Sequence, residues 1–510
     1  MNKQEAFFNH ITEGNTNKGE YITLGSAMLD GKTIKNAFVN VPLKTMNRHG
    51  LIAGATGTGK TKTLQVLAEN LSKKGVPVIL MDIKGDLSGL AQPSPGHAKI
   101  DERHEAIGLP FEPKAFPVEI LTLSAQNGVR LRATISEFGP VLISRILDVT
   151  ETQAGIISVI FKYCDDNKLP LLDLKDFKKI LQYATDEGKK EFEEAYGRIS
   201  TASTGAILRK IVELEQQGGD LFFGETSFDP QDLLRVDENG RGYINIIRLT
   251  DIQDKPKLFS TFMLSLLAEI YSTFPEQGDT GRPELIMFID EAHLIFNEAS
   301  KALLNQIESI VKLIRSKGVG LYFVTQNPTD VPEAVLSQLG LKVQHALRAF
   351  TAKDRKAIKL TAQNYPDTEY YDTANVLTSL GTGEALVSAL NEKGRPTPLA
   401  ATMMRAPMSR MDILTDTELE NLLNNSKLVK KYNEEVDRES AYEMLNEKIE
   451  QAEAEELKEK ARKEKEALEK AKSKSTSNRK STRMNPIVKV LTSATFIRSV
   501  FGILTKVMKK

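Results

Sequence analysis

The residues best suited to do chemistry lie in one glycine-rich run. Gly54-Ala55-Thr56-Gly57-Thr58-Gly59-Lys60-Thr61 fits the pattern G-x-x-x-x-G-K-[ST]. Glycines let successive backbone N–H groups curl around phosphates, and the N-terminus of a following helix adds its dipole. We expect Lys60 to reach the β- and γ-phosphates and Thr61 to ligate Mg²⁺. The run, with Thr63 one turn further on, therefore predicts a binding site for a nucleoside triphosphate such as ATP.

Two adjacent carboxylates form a second candidate group. The apolar stretch 285–289 ends in Asp290 and Glu291, and adjacent residues of an extended chain point to opposite sides. Asp290 is expected to hold Mg²⁺ through water, and Glu291 to polarise a water for attack on the γ-phosphate. Alone the pair is weak evidence. Combined with the glycine-rich run, it predicts hydrolysis, with water as the acceptor instead of a kinase substrate's hydroxyl.

A third apolar stretch, 319–325, also ends in a polar side chain, that of Gln326. Gln326 is predicted to contact the γ-phosphate or the attacking water. The competing interpretation is an amide at a strand end, in the turn before Pro328. The two motifs above favour the first interpretation.

The glycine-rich run lies between elements of a βαβ unit. Residues 49–54 read as a strand entering the run, and 76–82 as a buried parallel strand. Between them an amphipathic helix ending near Gly75 is indicated by four apolar residues at i, i+3, i+4 and i+7, namely Leu64, Leu67, Ala68 and Leu71.

The predicted fold is α/β, with a mostly parallel sheet, a helical insertion and a helical C-terminal tail. Six segments are expected: a small β cap (1–48), the first part of the ATPase core (49–135), a helical insertion (136–235), the second part of the core (236–415), a charged helical segment (416–470), and a basic linker with an amphipathic C-terminal helix (471–510).

Composition narrows the class of protein. Sixty-eight basic and 68 acidic residues cancel, so no global positive field indicates nucleic-acid binding, although a local basic loop is not excluded. Cys164 is the single cysteine, which excludes an intramolecular disulfide and fits a reducing compartment. The N-terminus shows no signal-peptide pattern, and no uncharged run reaches the ~18 residues of a membrane span. We expect a cytoplasmic protein.

The C-terminal tail is basic. After Glu469 there are eleven Lys or Arg and no Asp or Glu. Three explanations stay open: simple solvation, binding to a phosphate backbone, or contact with a membrane surface. The last is suggested by apolar residues spaced along the segment 487–508, namely Ile487, Leu491, Ala494, Phe501 and Leu504.

Taken together, five motifs resemble the HerA/FtsK superfamily of ATPases, and more narrowly the bacterial HerA-like C-terminal domain proteins (the YjgR type), over about residues 15–445. They are the segments 46–61, 82–86, 288–293, 313–318 and 324–328. The resemblance implies a RecA-like (ASCE) P-loop core with strand order 5-1-4-3-2, working as a ring, commonly a hexamer, that pumps duplex DNA.

The resemblance also implies an arginine finger, and Arg315 fits its position. The alternative is a surface arginine that caps a helix C-terminus with Lys317 before Gly318. Arg348 is a weaker candidate for a second, cis-acting arginine. The N-terminal region is shorter than the β-barrel of the archaeal HerA helicases.

The leading hypothesis is thus an ATP- and Mg²⁺-dependent motor that assembles with itself and acts on DNA, with a nuclease or other protein as a possible partner. A nucleotide-gated assembly or regulatory ATPase that does not act on nucleic acid is the alternative. The net charge of zero favours the alternative slightly, and Arg315 favours the motor. Glu291 disfavours a P-loop kinase.

Overall fold

A computed structural model describes residues 2–475, apart from positions 253, 279, 299, 300, 435 and 437. Twelve strands lie within this range: β1 (Tyr21–Leu29), β2 (Lys32–Pro42), β3 (Gly50–Ala53), β4 (Val78–Asp82), β5 (Val118–Thr122), β6 (Val129–Arg130), β7 (Ile244–Arg248), β8 (Leu285–Ile289), β9 (Val319–Thr325), β10 (Leu341–His345), β11 (Glu384–Ser388) and β12 (Ala400–Met404).

The described α-helices are α1 (Lys3–Gly14), α2 (Lys60–Lys73), α3 (Ala98–Ile107), α4 (Ile135–Ile146), α5 (Glu151–Asn167), α6 (Leu174–Tyr183), α7 (Lys189–Tyr196), α8 (Thr201–Gln216), α9 (Gly219–Phe222), α10 (Pro256–Thr273), α11 (His293–Glu298), α12 (Lys301–Leu313), α13 (Glu333–Leu336), α14 (Ala352–Ala362), α15 (Thr373–Ser379), α16 (Asp416–Asn424), α17 (Lys427–Tyr432) and α18 (Ala441–Ser475).

All the strands join one sheet, in the order β2-β1-β12-β11-β10-β3-β9-β8-β4-β7-β5-β6. The strands from β10 to β6 run parallel, whereas β11, β12, β1 and β2 pair antiparallel. If β3, β4, β8, β9 and β10 are numbered one to five, their order is 5-1-4-3-2. The α/β fold with a RecA-like P-loop core is therefore confirmed.

Parallel pairing brings the C-terminal ends of these strands to one edge of the sheet, here called the carboxyl edge, and their starts to the opposite amino edge. Every residue of β4, β5, β8 and β9 is buried. Strands buried on both faces read as continuous apolar runs. This pattern made β4, β8 and β9 recognisable in the sequence.

The first 48 residues differ from the expected small β cap. Residues 3–14 form α1, which a capping box between Asn2 and Glu5 begins and which buries Phe7 and Ile11. β1 then pairs with β12, so β1 and β2 extend the main sheet. Because the paired residues Gly25 and Met404 lie almost 380 positions apart, no local pattern could indicate this pairing.

Helices α4–α9 lie between β6 and β7, where the sequence predicted a helical insertion. The chain divides into two compact units, 1–445 and 446–510. In the second unit, residues 446–475 belong to α18, and the tail 476–510 lies outside the described residues. Among the helices described, none combines the length and the apolar character needed to cross a membrane.

Candidate nucleotide-binding and hydrolysis site

The glycine-rich run forms the loop between β3 and α2, at the carboxyl edge. Gly54, Gly57 and Gly59 have φ angles of 154°, 77° and 113°, in the region that favours glycine. A Cβ on Gly54 would lie 2.5 Å from the Cβ of His345, so a larger residue does not fit there. α2 begins at Lys60, which directs the free N–H groups of its first turn towards the loop. The geometry suits phosphate oxygens.

Lys60 folds over the loop that precedes it. Its Nζ donates hydrogen bonds to the carbonyl oxygens of Gly54 (2.6 Å) and Ala55 (3.1 Å). Burial and then the charge of Lys84 lower the pKa of Lys60, while Glu291 and Asp290 oppose this shift. The predicted phosphate-binding lysine and the predicted carboxylate pair are thus close enough to interact electrostatically.

His345 packs against the glycine-rich loop and α2. The sequence analysis did not identify this contact. Its Nδ1 lies 2.8 Å from the carbonyl oxygen of Glu384, and its Nε2 lies 2.9 Å from Oγ1 of Thr63. A carbonyl only accepts, so the ring proton is on Nδ1 and Thr63 donates to Nε2. Burial lowers the pKa of His345 to about 4. The ring is therefore neutral, and Thr63 has a structural partner in addition to its predicted place near the nucleotide.

Asp290 and Glu291 follow β8 at the same edge. Both side chains are buried, and Asp290 Oδ1 accepts a hydrogen bond from the backbone N–H of Glu291 at 2.9 Å. Glu291 has a φ of 46°, a left-handed conformation that is uncommon for residues other than glycine and clusters at functional sites. Burial raises the pKa of Asp290 to about 6, although the charge of Lys84 opposes the rise.

Lys84 reaches this carboxylate pair from the turn that follows the neighbouring strand β4. Its Nζ lies 2.7 Å from Glu291 Oε1 and 3.9 Å from Asp290 Oδ2. Although burial disfavours its charge, the two carboxylates raise the pKa of Lys84. The sequence analysis noted the 82–86 turn without assigning Lys84 a role. Its one signal in the sequence was a lysine two residues after a buried strand.

The turn that carries Lys84 is fixed by the carboxylate of Asp82. Oδ1 accepts from the N–H groups of Gly85 (2.7 Å) and Asp86 (3.2 Å), and Oδ2 accepts from that of Leu87 (3.2 Å). Burial raises the pKa of Asp82 to about 6. The carboxylate of Asp82 thus has a structural role, because it holds this turn in place.

Gln326 and Arg348 line one cavity beside the glycine-rich loop. It has a volume of about 530 Å³, and Ala55 and Thr56 form part of its wall. Gln326 follows β9 and Arg348 follows β10, and both are exposed. Both side chains therefore lie beside the glycine-rich loop of their own chain. The predicted γ-phosphate contact of Gln326 and the predicted cis-acting role of Arg348 both require this position.

Arg315 lies elsewhere, at the amino edge. It belongs to the 3₁₀ turn Ile314–Lys317 that directly precedes β9. The seven residues of β9 separate this turn from the carboxyl edge, a distance of about 23 Å at ~3.3 Å per residue. The structure does not bring Arg315 together with the glycine-rich loop of its own chain.

The ring of His49 ties the Arg315 turn to the sheet. Its Nε2 donates to the carbonyl oxygen of Val311 at 2.8 Å, and its Nδ1 accepts from the N–H of Leu321 at 3.0 Å. Burial lowers the pKa of His49 to about 4, with a further lowering by the charge of Arg315. A neutral histidine directly before β3 therefore joins the two chain segments on either side of Arg315.

The donor set fits a magnesium nucleotide better than a metal held by protein alone. In the described part of the chain, no three His, Cys, Asp or Glu side chains form a cluster able to hold a metal ion. Mg²⁺ characteristically takes one or two protein oxygens and completes its shell with water and phosphate oxygens. The two ligands predicted from the sequence, the Thr61 hydroxyl and the Asp290 carboxylate, match that number.

Comparison with known families agrees with this geometry. The family described as "Helicase HerA-like C-terminal" matches residues 28–509, nearly the entire chain. The chain belongs to this HerA-like family. The resemblance drawn from the motifs is confirmed at this level.

Two relatives of this HerA-like chain come from Sulfolobus acidocaldarius. The "DNA double-strand break repair helicase HerA" is 23% identical over 376 residues, covering 70% of this chain and 66% of the relative. The "DNA import protein CedB" is 23% identical over 373 residues, covering 73% of this chain and 54% of the relative. The HerA-like chain thus spans less than two thirds of the length of each.

A solved structure, that of the bacterial conjugative coupling protein TrwB, shares the fold of the HerA-like chain. It has a TM-score of 0.51 and 15% sequence identity, and it covers 80% of this chain and 95% of its own. At this identity the likeness is informative about the fold alone.

Proposed function

We propose that this HerA-like protein is an ATP-hydrolysing motor that assembles into a ring, hexameric by resemblance, and translocates on or remodels DNA. The observation that carries the proposal is the gathering of three motifs at one sheet edge. The glycine-rich loop follows β3, Gln326 follows the adjacent β9, and the Asp290–Glu291 pair follows β8, the next strand along. Residues from widely separated parts of the chain are thus available to one nucleotide.

In this proposal the loop 54–61 binds the triphosphate through its backbone N–H groups, and Lys60 exchanges its bonds to the loop carbonyls for phosphate oxygens. Thr61 and Asp290 would hold Mg²⁺, which when bound neutralises charge on the phosphates. Asp290 must be ionised to do so, and its pKa of about 6 satisfies this at neutral pH.

Glu291 is the proposed base that orients and deprotonates the attacking water. Its Oε1 is paired with Lys84, and its Oε2 lies 3.3 Å from His293 Nδ1. The pair with Lys84 holds the carboxylate in place, while the buried Oε2 accepts no hydrogen bond from the residues that the structure describes. Hydrolysis therefore requires Glu291 to share its oxygens between Lys84 and water, which makes Lys84 a positioning residue. Gln326 would hydrogen-bond the γ-phosphate or the same water.

Arg315 is proposed to act on a neighbouring subunit. At the amino edge it is too far from its own loop, so a transition-state contact requires a second copy of the chain. A cation supplied in this way stabilises the developing charge only when the ring is closed. Hydrolysis would then depend on assembly.

DNA as the substrate is supported by the relatives, whose names describe a DNA repair helicase and a DNA import protein. The net charge of zero keeps the alternative, a nucleotide-gated assembly ATPase, in consideration. The two differ in one measurable property. A motor's ATPase is stimulated by DNA in a salt-sensitive way, and an assembly ATPase is not.

The test is phosphate release measured against protein concentration, with and without duplex DNA, with Lys60→Ala as the inactive control. We expect specific activity to rise with protein concentration and to rise further with DNA. An ATPase that DNA leaves unchanged at low salt would favour the assembly protein. A sample that neither binds ATP nor releases phosphate would refute both.

A further inference from the structure

The loop after β10 and the helix α14 carry a strongly one-sided charge distribution next to the site. Between positions 348 and 362 there are five cations, Arg348, Lys353, Arg355, Lys356 and Lys359, and one acid, Asp354. The chain as a whole is neutral. A local excess of this size is the electrostatic footprint expected for a polyanion.

α14 has a packed inner face and a basic outer face. Ile358 and Thr361 are buried on the inner side, and Ala357 lines the cavity next to Thr56. The outer side carries the four helical cations, all exposed, and within the described residues none of them forms an ion pair. These cations are available to bind phosphate groups.

Phe350 adds an aromatic ring at the N-terminal end of this face. It is 85% exposed, the highest value among the large apolar side chains that the structure describes. Its backbone is nevertheless fixed, because Asp354 Oδ2 accepts hydrogen bonds from the N–H groups of Phe350 (3.0 Å) and Thr351 (2.7 Å). A ring displayed in water on an anchored backbone suits stacking against a planar partner.

Basic side chains that follow a backbone, together with an aromatic ring for a base, are the components of a single-strand binding surface. We propose that the outer face of α14 and Phe350 hold a nucleic-acid strand, with an unpaired base stacked on Phe350. This inference rests on the proposed function and specifies where the substrate binds. A duplex offers phosphates to the cations but no free base to the ring.

The position of this surface couples it to the nucleotide. Phe350 and Asp354 line the same cavity as Thr56, Gln326 and Arg348. A change in the contacts of Gln326 or Arg348 with the γ-phosphate would therefore move the loop that carries Phe350. The contacts between the outer face of α14 and the nucleic-acid strand would then depend on which nucleotide is bound.

The experiment measures binding of the full-length protein to a fluorescent oligonucleotide and to the matching duplex over a range of salt concentrations. In Arg355→Glu/Lys359→Glu we expect at least tenfold weaker strand binding, a salt slope smaller by about 1.4, since each lost phosphate contact contributes ~0.7 for single strands, and unchanged basal ATPase. The control Lys189→Glu/Lys190→Glu makes the same charge change on α7 and should bind normally.

Phe350→Leu separates stacking from charge. We expect about tenfold weaker binding to the single strand, with duplex affinity unchanged. Normal strand binding by both variants would overturn the proposal while leaving the motor intact, provided that DNA still stimulates the wild-type ATPase. Breakdown of oligomers in Arg355→Glu/Lys359→Glu, seen by light scattering, would also overturn it, because the surface would then join copies of the chain. A wild type that binds no DNA would refute the proposed function itself.

Discussion

The two edges of the parallel sheet differ in the partners of their charged side chains. At the carboxyl edge, Lys60, Lys84 and Glu291 interact within one chain. At the amino edge, Arg315 forms no ion pair within the part of the chain that the structure describes, and its charge helps to keep the ring of His49 neutral. In the function proposed above, the carboxyl edge binds and hydrolyses the nucleotide, whereas the amino edge presents Arg315 to a neighbouring subunit.

The largest expected effect tests this division of labour. Arg315→Ala should lower ATP turnover by about 10³-fold or more, with nucleotide binding unchanged, because the finger is absent from the chain's own site. Phosphate release and binding of a fluorescent ATP analogue measure the two properties. Lys317→Ala, in the same turn but paired with Glu276, is the control and should retain activity. Loss of nucleotide binding in Arg315→Ala would place Arg315 in its own site.

Mixing two inactive variants, Arg315→Ala and Glu291→Gln, tests the same prediction more directly. Arg315→Ala supplies an intact Glu291, and Glu291→Gln supplies an intact Arg315. In rings formed from equal amounts of the two, about a quarter of the interfaces should combine both intact groups. Activity should therefore reappear on mixing. Two variants that stay inactive together would contradict action across subunits.

Glu291→Gln is expected to lower turnover by about 10²-fold while ATP remains bound, since glutamine keeps the size of the side chain but cannot accept the proton. Glu284→Gln, just before the other end of the same strand β8, is the control from the amino edge. Equal losses in both variants would show that the carboxyl edge has no special role.

A smaller effect is expected for Lys84→Met. Loss of the 2.7 Å pair should leave Glu291 less well positioned and lower turnover by about tenfold, or ~1.4 kcal/mol. Lys84 also opposes the raised pKa of Asp290, which is about 6. Without Lys84 this pKa rises further, so the acid limb of the pH–activity profile should move to higher pH. An unchanged profile would show that Lys84 does not act on Asp290.

An effect on stability, not on turnover, is expected from one histidine at each edge. His49 and His345 have folded-state pKa values lowered to about 4, against about 6.5 in the unfolded chain. Their contribution to stability is therefore complete above pH 6.5 and is lost as the pH falls towards 4. Between pH 7 and pH 5 each should reduce the free energy of unfolding by about 2 kcal/mol.

Urea denaturation at the two pH values measures this loss. His49→Gln can keep a donor and an acceptor for Val311 and Leu321 but does not titrate. It should therefore lose less stability on acidification than the wild type. An identical loss in both proteins would mean that the pKa of His49 is the same in the folded and the unfolded protein.

Local sequence patterns were sufficient to predict most of the elements that form the carboxyl edge. The glycine-rich run, the helical spacing of Leu64 to Leu71 and the apolar strands before Asp290 and Gln326 each depend on neighbouring residues, and the structure has these elements within one or two positions of the predictions. α1 was missed although its signal, Asn2 followed by Glu5, is also local. The catalytic roles of these residues stay predictions.

Contacts between distant segments were beyond such patterns. Lys84 meets Glu291 across more than 200 positions, and Thr63 meets His345 across 282. A lone lysine or histidine at a strand end has many possible partners, and only the order of strands in the sheet selects one. For the same reason the sequence did not place β1 beside β12.

The position of β3 in the sheet has a consequence for folding during translation. Its two neighbours in the sheet, β9 and β10, begin at residues 319 and 341, more than 260 positions later. While the ribosome makes the intervening chain, this four-residue apolar strand cannot pair with either of them. Such distant pairing slows folding and leaves apolar surface open to aggregation. The nascent chain should therefore gain the ability to bind ATP only late in translation, in a single step after β10 has emerged.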